Sequence, residues 1–194
     1  MQRSLVGSEM CIRDSFCHPC QVLADLQTVR EYKGRIEGLN MCYIGDGNNM
    51  ANSLIVGFLK MGAHVSIACP KAYQPDAQVL SFTEQYPGKF VMTESPEEAA
   101  KDADVIFTDV WASMGQEEEK AVREKAFRGY QINAELLAKA HLGCMVQHCL
   151  PAHRGEEITA DVFESHADQI FDEAENRLCL LYTSPSPRDY AASR

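Results

Sequence analysis

From Leu39 onward, short apolar runs alternate with stretches whose apolar residues recur at helical spacing. Leu39-Asn40-Met41-Cys42-Tyr43-Ile44 is a short apolar run closed by Gly45-Asp46-Gly47, the pattern of a buried strand and its turn. Asn49 to Met61 sets Met50, Leu54, Phe58 and Met61 on one helical face, and Gly62 ends it. His64 to Cys69 reads as a second strand, Asp76 to Tyr86 as a helix and Lys89 to Thr93 as a strand. Ser95-Pro96-Glu97-Glu98 opens a helix with proline at its first position. Val105 to Val110 follows as a strand and Glu117 to Tyr130 as a charged helix. A helix from Asn133 to His141 leads into the strand Met145 to Leu150, and a helix from Ala160 to Ala167 precedes a last strand, Gln169 to Phe171. Strands alternating with helices require right-handed crossovers. The pattern therefore predicts a doubly wound, Rossmann-like α/β domain, a parallel sheet with helices on both faces.

The ends read differently. Residues 1–15 have no clear period and are expected to form an irregular tail. Residues 16–38 form a linker or helix carrying His18-Pro19-Cys20-Gln21, and 39–178 make up the α/β domain. The helix begun at Glu175-Asn176-Arg177-Leu178 soon loses its apolar continuation, so 179–194, with Ser184-Pro185-Ser186-Pro187, is expected to be a second irregular tail. Natural disordered termini, or unrelated coding sequence joined to a fragment, would each give such ends. Either way, Met1 to Ser15 and Tyr182 to Arg194 should pack poorly against the domain, having few apolar residues to offset the entropy of ordering them.

Composition narrows the function. Of 194 residues, 45% are apolar and 24% charged, which excludes a wholly disordered chain. Twenty-eight acidic against 18 basic residues give a net charge of -10, unsuited to neutralising nucleic-acid phosphates or to an anionic membrane surface. No apolar run approaches the roughly 20 residues that span a bilayer, and the N-terminus lacks the apolar core of a secretory signal. Eight cysteines show no disulfide framework; Cys17 and Cys20 form a C-x-x-C without the second pair a zinc site needs. Reduced thiols in the cytoplasm are expected, with no metal and no cofactor.

Ligands of open α/β sheets bind beyond the C-terminal strand ends. Here those ends are polar: Asp46-Gly47-Asn48-Asn49, Asp109 to Gly115, and His148-Cys149-Leu150-Pro151-Ala152-His153-Arg154, with Asp172 to Arg177 after the last expected strand. Gly45-Asp46-Gly47 begins a dinucleotide motif, but Met50 stands at the third glycine and the second strand ends in Cys69 with no ribose-binding acid. A tight turn capped by Asn48 is the simpler reading. Cys149 beside His148 suggests a thiol nucleophile, yet neighbours on a strand point to opposite faces, and Cys149 also suits a small buried apolar site. Asp109 fits a helix cap or an ammonium ligand equally well. On local pattern alone Trp111 is a packing residue, His18 a surface or capping histidine, Arg177 a solvated helix residue, and Glu117-Glu118-Glu119 a solvated helix start.

Taken in order and spacing, His18-Pro19-Cys20-Gln21, Gly45 to Ser53, Asp109 to Gly115, His148-Cys149-Leu150-Pro151 and Glu175-Asn176-Arg177 resemble the second half of an ornithine carbamoyltransferase, from about Phe16 to Leu178. The resemblance implies transfer of the carbamoyl group of carbamoyl phosphate to the side-chain amine of L-ornithine, giving L-citrulline and phosphate. It implies catalytic roles for His18, Arg177 and Cys149, the first two as donors to the carbonyl oxygen. Carbamoyl phosphate would lie against His18, Pro19, Cys20, Gln21, Cys149, Leu150 and Arg177. Ornithine would meet Asn49 through its carboxylate and Asp109 through its ammonium, with Ser113 and Met114 closing over it. The family also implies a homotrimer for the full-length enzyme.

One departure stands against these matches. The family's first domain, whose Ser-Thr-Arg-Thr loop grips the phosphate and which makes most trimer contacts, has no counterpart here, and only 15 residues precede Phe16. The chain is therefore expected to be an incomplete fragment with little or no activity alone. A non-catalytic amino-acid-binding module and a nicotinamide oxidoreductase are the alternatives.

Overall fold

The computed structural model describes residues 16–112 and 119–183. The expectations placed on residues 1–15, on 184–194 and on Ser113 to Glu118 lie outside these.

The chain runs α1 (Pro19–Lys33), β1 (Asn40–Ile44), α2 (Asn49–Lys60), β2 (His64–Ala68), α3 (Ala77–Thr83), β3 (Phe90–Thr93), α4 (Pro96–Ala100), β4 (Val105–Thr108), α5 (Lys120–Ala126), α6 (Ala134–Leu137), β5 (Met145–His148), α7 (Ala160–Ser165) and α8 (Ala167–Thr183). The strands form one parallel sheet in the order β3-β2-β1-β4-β5. Strand order reverses between β1 and β4, so the loops after these two strands diverge and open a crevice at the sheet's C-terminal edge.

Alternate side chains along each strand feed two separate cores. Met41, Tyr43, Val65, Ile67, Val105 and Phe107 pack under α1, α2 and α3, where Phe58 meets Phe107 edge-on at 5.4 Å. Cys42, Ile44, Ala68, Ile106 and Val146 pack with Phe127, Leu136, Val162 and Phe163 on the other face. Trp111 belongs to this second core, stacked on Phe127 at 5.8 Å, the packing role its position suggested.

Two expectations fail at the C-terminal end. Gln169 to Phe171 is not a strand but the first turns of α8, and the helix does not fade after Leu178; it runs through Thr183, into the segment expected to be irregular. The cause lies in what the helix buries: Ile170, Glu173 and half-buried Arg177 form its inward face, so charged residues occupy positions where an apolar stripe would have announced it. Strand β5 stops at His148 because Leu150 takes a left-handed φ of 53°. Elsewhere the elements fall where the pattern puts them, trimmed at their ends; the Asn133 to His141 segment, for one, contracts to the single turn of α6.

Candidate functional site

The loop after β1 is built to stay tight. A Cβ on Gly47 would collide with the backbone of Gln74 and Pro75, and Gly47 N–H donates to the Tyr73 carbonyl at 2.8 Å. Asn48 then caps α2, its Oδ1 accepting from Met50 N at 2.9 Å and Ala51 N at 3.3 Å. The amides that would cradle a dinucleotide pyrophosphate are thus already bonded, which speaks against the nicotinamide reading.

The cap residue also faces the crevice. Asn48 Nδ2 donates to Asp109 Oδ2 at 2.8 Å, linking the loops that follow β1 and β4. Asp109 is buried; its Oδ1 accepts from Val110 N at 2.8 Å and from the Cys149 thiol at 3.0 Å. Burial first, and then the Asp109 carboxylate, raise that thiol well above the usual cysteine range, so it is protonated at neutral pH and is no thiolate nucleophile. Cys149 is accordingly neither an activated nucleophile nor a mere apolar filler.

His148 points away from Cys149, as strand alternation requires. Its Nδ1 accepts from Leu150 N at 2.9 Å, so Nε2 carries the proton and donates to the buried Glu157 Oε1 at 3.1 Å. This pair fixes the left-handed Leu150 and, with it, the backbone that presents Cys149.

Arg177, from α8, closes the far side. Its guanidinium donates to Gln21 Oε1 at 2.7 Å and lies 3.4 Å from the Cys149 carbonyl, so it is not the solvated residue its helix position suggested. Gln21 belongs to the start of α1, which is tied to α2: His18 N donates to Ser53 Oγ at 2.7 Å and Asn52 Nδ2 to the Phe16 carbonyl at 3.0 Å. Asn48, Asp109, Cys149, Arg177 and Gln21 therefore form one continuous chain of contacts across the crevice. His18 stands at the N-cap of α1 followed by Pro19 and Cys20, and Asn49 opens α2. Ser113 and Met114 lie outside the described residues.

Some participants escaped the sequence pattern. Gln21 Nε2 donates to Asp25 Oδ1 at 3.1 Å and to Glu173 Oε1 at 2.5 Å, and all three side chains are buried. Burial and the neighbouring Glu173 hold Asp25 well above the usual carboxylate range. Burial likewise lifts Glu173 to about 7, against the pull of Arg177. The four-residue spacings Gln21/Asp25 and Glu173/Arg177 were the available signal, since such pairs share a helix face. Arg123 is the other: it bonds Asp46 at 2.7 Å and the Trp111 carbonyl at 2.9 Å, pinning the β1 loop to the β4 loop.

Among the described residues His153, Glu156 and Glu157 bring possible ligand atoms within 4.8 Å of one another. Glu157 already accepts from His148 and His153 N, and Glu156 from Lys120 at 2.7 Å, so these groups have protein partners in place of an ion. Among the same residues Cys20, Cys42, Cys69, Cys144 and Cys149 form no disulfide, and no helix is long and apolar enough to cross a membrane.

The family model for the aspartate/ornithine carbamoyltransferase Asp/Orn binding domain matches residues 37–181. The chain is 53% identical over 167 residues to an ornithine carbamoyltransferase of Thermococcus kodakarensis, covering 84% of this chain and 53% of that protein. Against the counterpart from Geobacter sulfurreducens it is 54% identical over 162 residues, 83% of this chain and 54% of the relative. The solved ornithine carbamoyltransferase of Pyrococcus furiosus superposes with a TM-score of 0.78 at 49% identity, covering 84% of this chain and 54% of that one. The chain thus spans about half the length of the curated relatives it matches.

Proposed function

The chain belongs to the aspartate/ornithine carbamoyltransferase family, and we propose that it supplies the amino-acid half of a site that carbamoylates L-ornithine. Carbamoyl phosphate and L-ornithine would give L-citrulline and phosphate. The contact chain from Asn48 through Asp109, Cys149 and Arg177 to Gln21 carries this reading. It lines up an acceptor for an ammonium, a neutral thiol, and a guanidinium beside an amide, in the order a zwitterionic amine and a carbamoyl donor require.

In this reading Asp109, already oriented by Asn48 and Val110 N, takes the α-ammonium of ornithine, and Asn49 takes the carboxylate. Ser113 and Met114 close over the amino acid. The neutral side-chain amine attacks the carbonyl carbon of carbamoyl phosphate beside the Cys149 thiol. Charge builds on the carbonyl oxygen, where Arg177 and His18 donate; such donors are worth about 10²–10³ in rate each. The C–O bond to phosphate then breaks, and the departing phosphate is the base that accepts the amine proton, since the thiol already holds its own. Pro19, Cys20 and Leu150 contribute the backbone around the donor. No cofactor or metal enters this scheme.

The complete protein would work as a cytoplasmic homotrimer, and thiols such as Cys42, Cys69 and Cys144, buried without a disulfide, suit such a reducing compartment. This chain alone should turn over little. Positioning two reactants contributes roughly 7–11 kcal/mol in favourable cases, and the phosphate grip belongs to the half of the relatives that this chain does not span. A net charge of -10 also works against retaining an anionic donor. A citrulline colour assay on the chain, run beside the same chain fused to the carbamoyl-phosphate domain of a full-length relative, tests this. Turnover only in the fusion supports the reading; equal turnover overturns the fragment argument. Ornithine binding without turnover in either would favour the amino-acid-binding module.

A further inference from the structure

Gln21 has no freedom left in its amide. A primary amide has two N–H donors, and here one goes to Asp25 Oδ1 at 3.1 Å and the other to Glu173 Oε1 at 2.5 Å. Its oxygen accepts from Arg177 at 2.7 Å. Turning the amide over would set its oxygen against both carboxyls and its NH2 against a guanidinium, losing all three bonds. Burial makes that loss expensive, since Gln21 and Glu173 are fully buried and Asp25 nearly so. What remains is the second lone pair of Gln21 Oε1, an oxygen held by the same Arg177 guanidinium that reaches the Cys149 carbonyl. From that position Gln21 addresses a ligand only as an acceptor.

Resting on the carbamoyl-transfer reading above, we propose that Asp25 and Glu173 are positioning residues that select a carbamoyl donor over an acyl donor. By holding both N–H groups of Gln21 they commit its carbonyl oxygen to the NH2 of the carbamoyl group. Acetyl phosphate, of similar shape and charge, offers a methyl there, and a committed acceptor facing a methyl is left unpaired. A single carboxyl would hold one N–H and leave the other able to turn outward. Two carboxyls at this depth are tolerable because burial and their proximity retain a proton between them. Asp25 Oδ2 and Glu173 Oε2, which lack hydrogen-bond partners among the described residues, are the places for it. Arg177 and, farther off, Asp109 are the other charges acting on the pair.

The side-chain amide of Gln21 is its own reporter. In ¹⁵N-labelled chain its NH2 cross-peak, assigned by its loss in Gln21→Leu, should exchange with water at least about tenfold more slowly than that of an exposed glutamine. Glu173→Gln and Asp25→Asn, which keep shape but allow the amide to turn, should each remove that protection. Carbamoyl phosphate and acetyl phosphate are then titrated into each variant by chemical shift. The wild-type chain should favour the carbamoyl compound by about tenfold or more. Glu173→Gln and Asp25→Asn should erase the preference without changing acetyl phosphate affinity. In the Gln21→Leu background neither should have any further effect. An unprotected Gln21 amide, or a preference that survives both single variants, overturns the proposal. An equal loss with Gln21 already removed overturns it as well. If wild type and Gln21→Leu bind carbamoyl phosphate alike, the substrate reading fails instead, while amide protection still reports whether the carboxyls hold Gln21.

Discussion

Helix α2 and the α1–α8 pair flank the same end of the sheet and bury opposite chemistry. Helix α2 lies on the strands through Met50, Leu54, Ile55, Phe58 and Leu59. Helices α1 and α8 meet through a polar seam. Gln27 donates to Asn176 at 3.0 Å, and Asn176 in turn donates to Thr28 at 3.0 Å and Glu31 at 2.8 Å. Nearer the crevice the seam ends in Gln21, Asp25, Glu173 and Arg177. Apolar packing stabilises in proportion to the area it hides and is indifferent to direction. Every bond of the seam has a donor and an acceptor end, so it contributes little net stability but fixes which way each group points. The fold rests on the first kind of contact and the crevice is aimed by the second.

The largest effect should come from the apolar side. Phe58 is fully buried against Phe107, so Phe58→Ala should cost about 3–5 kcal/mol in urea unfolding, from lost transfer energy and the cavity left behind. Nothing at that position titrates, so the deficit should be the same at pH 5 and pH 8. A deficit below about 1 kcal/mol would show that α2 is not what anchors this face.

The seam should respond to pH where α2 does not. Glu173 sits at about 7 in the fold against 4.5 ordinarily, so between these values the folded chain holds a proton that the unfolded chain has released. Stability is therefore greatest below the unfolded value, falls as pH rises toward 7, and stays level above it. Asp25, raised by burial and by the neighbouring Glu173, adds in the same direction. Glu173→Gln should flatten this part of the stability–pH curve. A slope unchanged by the substitution would assign the titration elsewhere.

Asn176→Ala removes three bonds of the seam at once, one accepted and two donated, without touching Gln21. Part of the site is exposed to water that can replace them, so the expected loss is about 1–2 kcal/mol in the same urea assay. A cost matching that of Phe58→Ala would erase the distinction between the two regions.

The same contrast explains what the sequence disclosed. The alternation of apolar runs and helical stripes was enough to place five strands, their order of appearance and α2, because those elements bury what hydrophobic patterning records. Helix α8 escapes the pattern because Glu173 and Arg177 fill its inward face and leave Ile170-Phe171 looking like a short strand. The inward positions Gln21, Asp25 and Thr28 likewise left α1 indistinct from a linker. Patterning was silent where polar groups face inward, which is also where the crevice is aimed. Asp109 and Cys149 are visible as strand-end residues, but that a half-buried, protonated thiol bonds the carboxylate is not, because that contact joins strands far apart in sequence.

Asn48 belongs to both regions, and its substitution should separate their contributions. As a cap it accepts from Met50 N and Ala51 N; as a crevice residue it donates to Asp109. Asn48→Ala loses both roles, and the cap should cost about 1 kcal/mol of stability. Asn48→Asp keeps the cap, and its charge at the N-terminus of α2 is favourable, so stability should change by only a few tenths of a kcal/mol. It also exchanges the donor facing Asp109 for a second carboxylate, 2.8 Å from the first in the present geometry. Under the proposed function, Asp109 would then swing away or take up a proton, and either response spoils its approach to the ornithine ammonium. Calorimetric titration with ornithine should therefore rank wild type above Asn48→Ala and Asn48→Ala above Asn48→Asp, while thermal melting ranks Asn48→Ala lowest. Binding that simply follows stability would mean that Asn48 serves α2 alone and that Asp109 is oriented by Val110 N and Cys149.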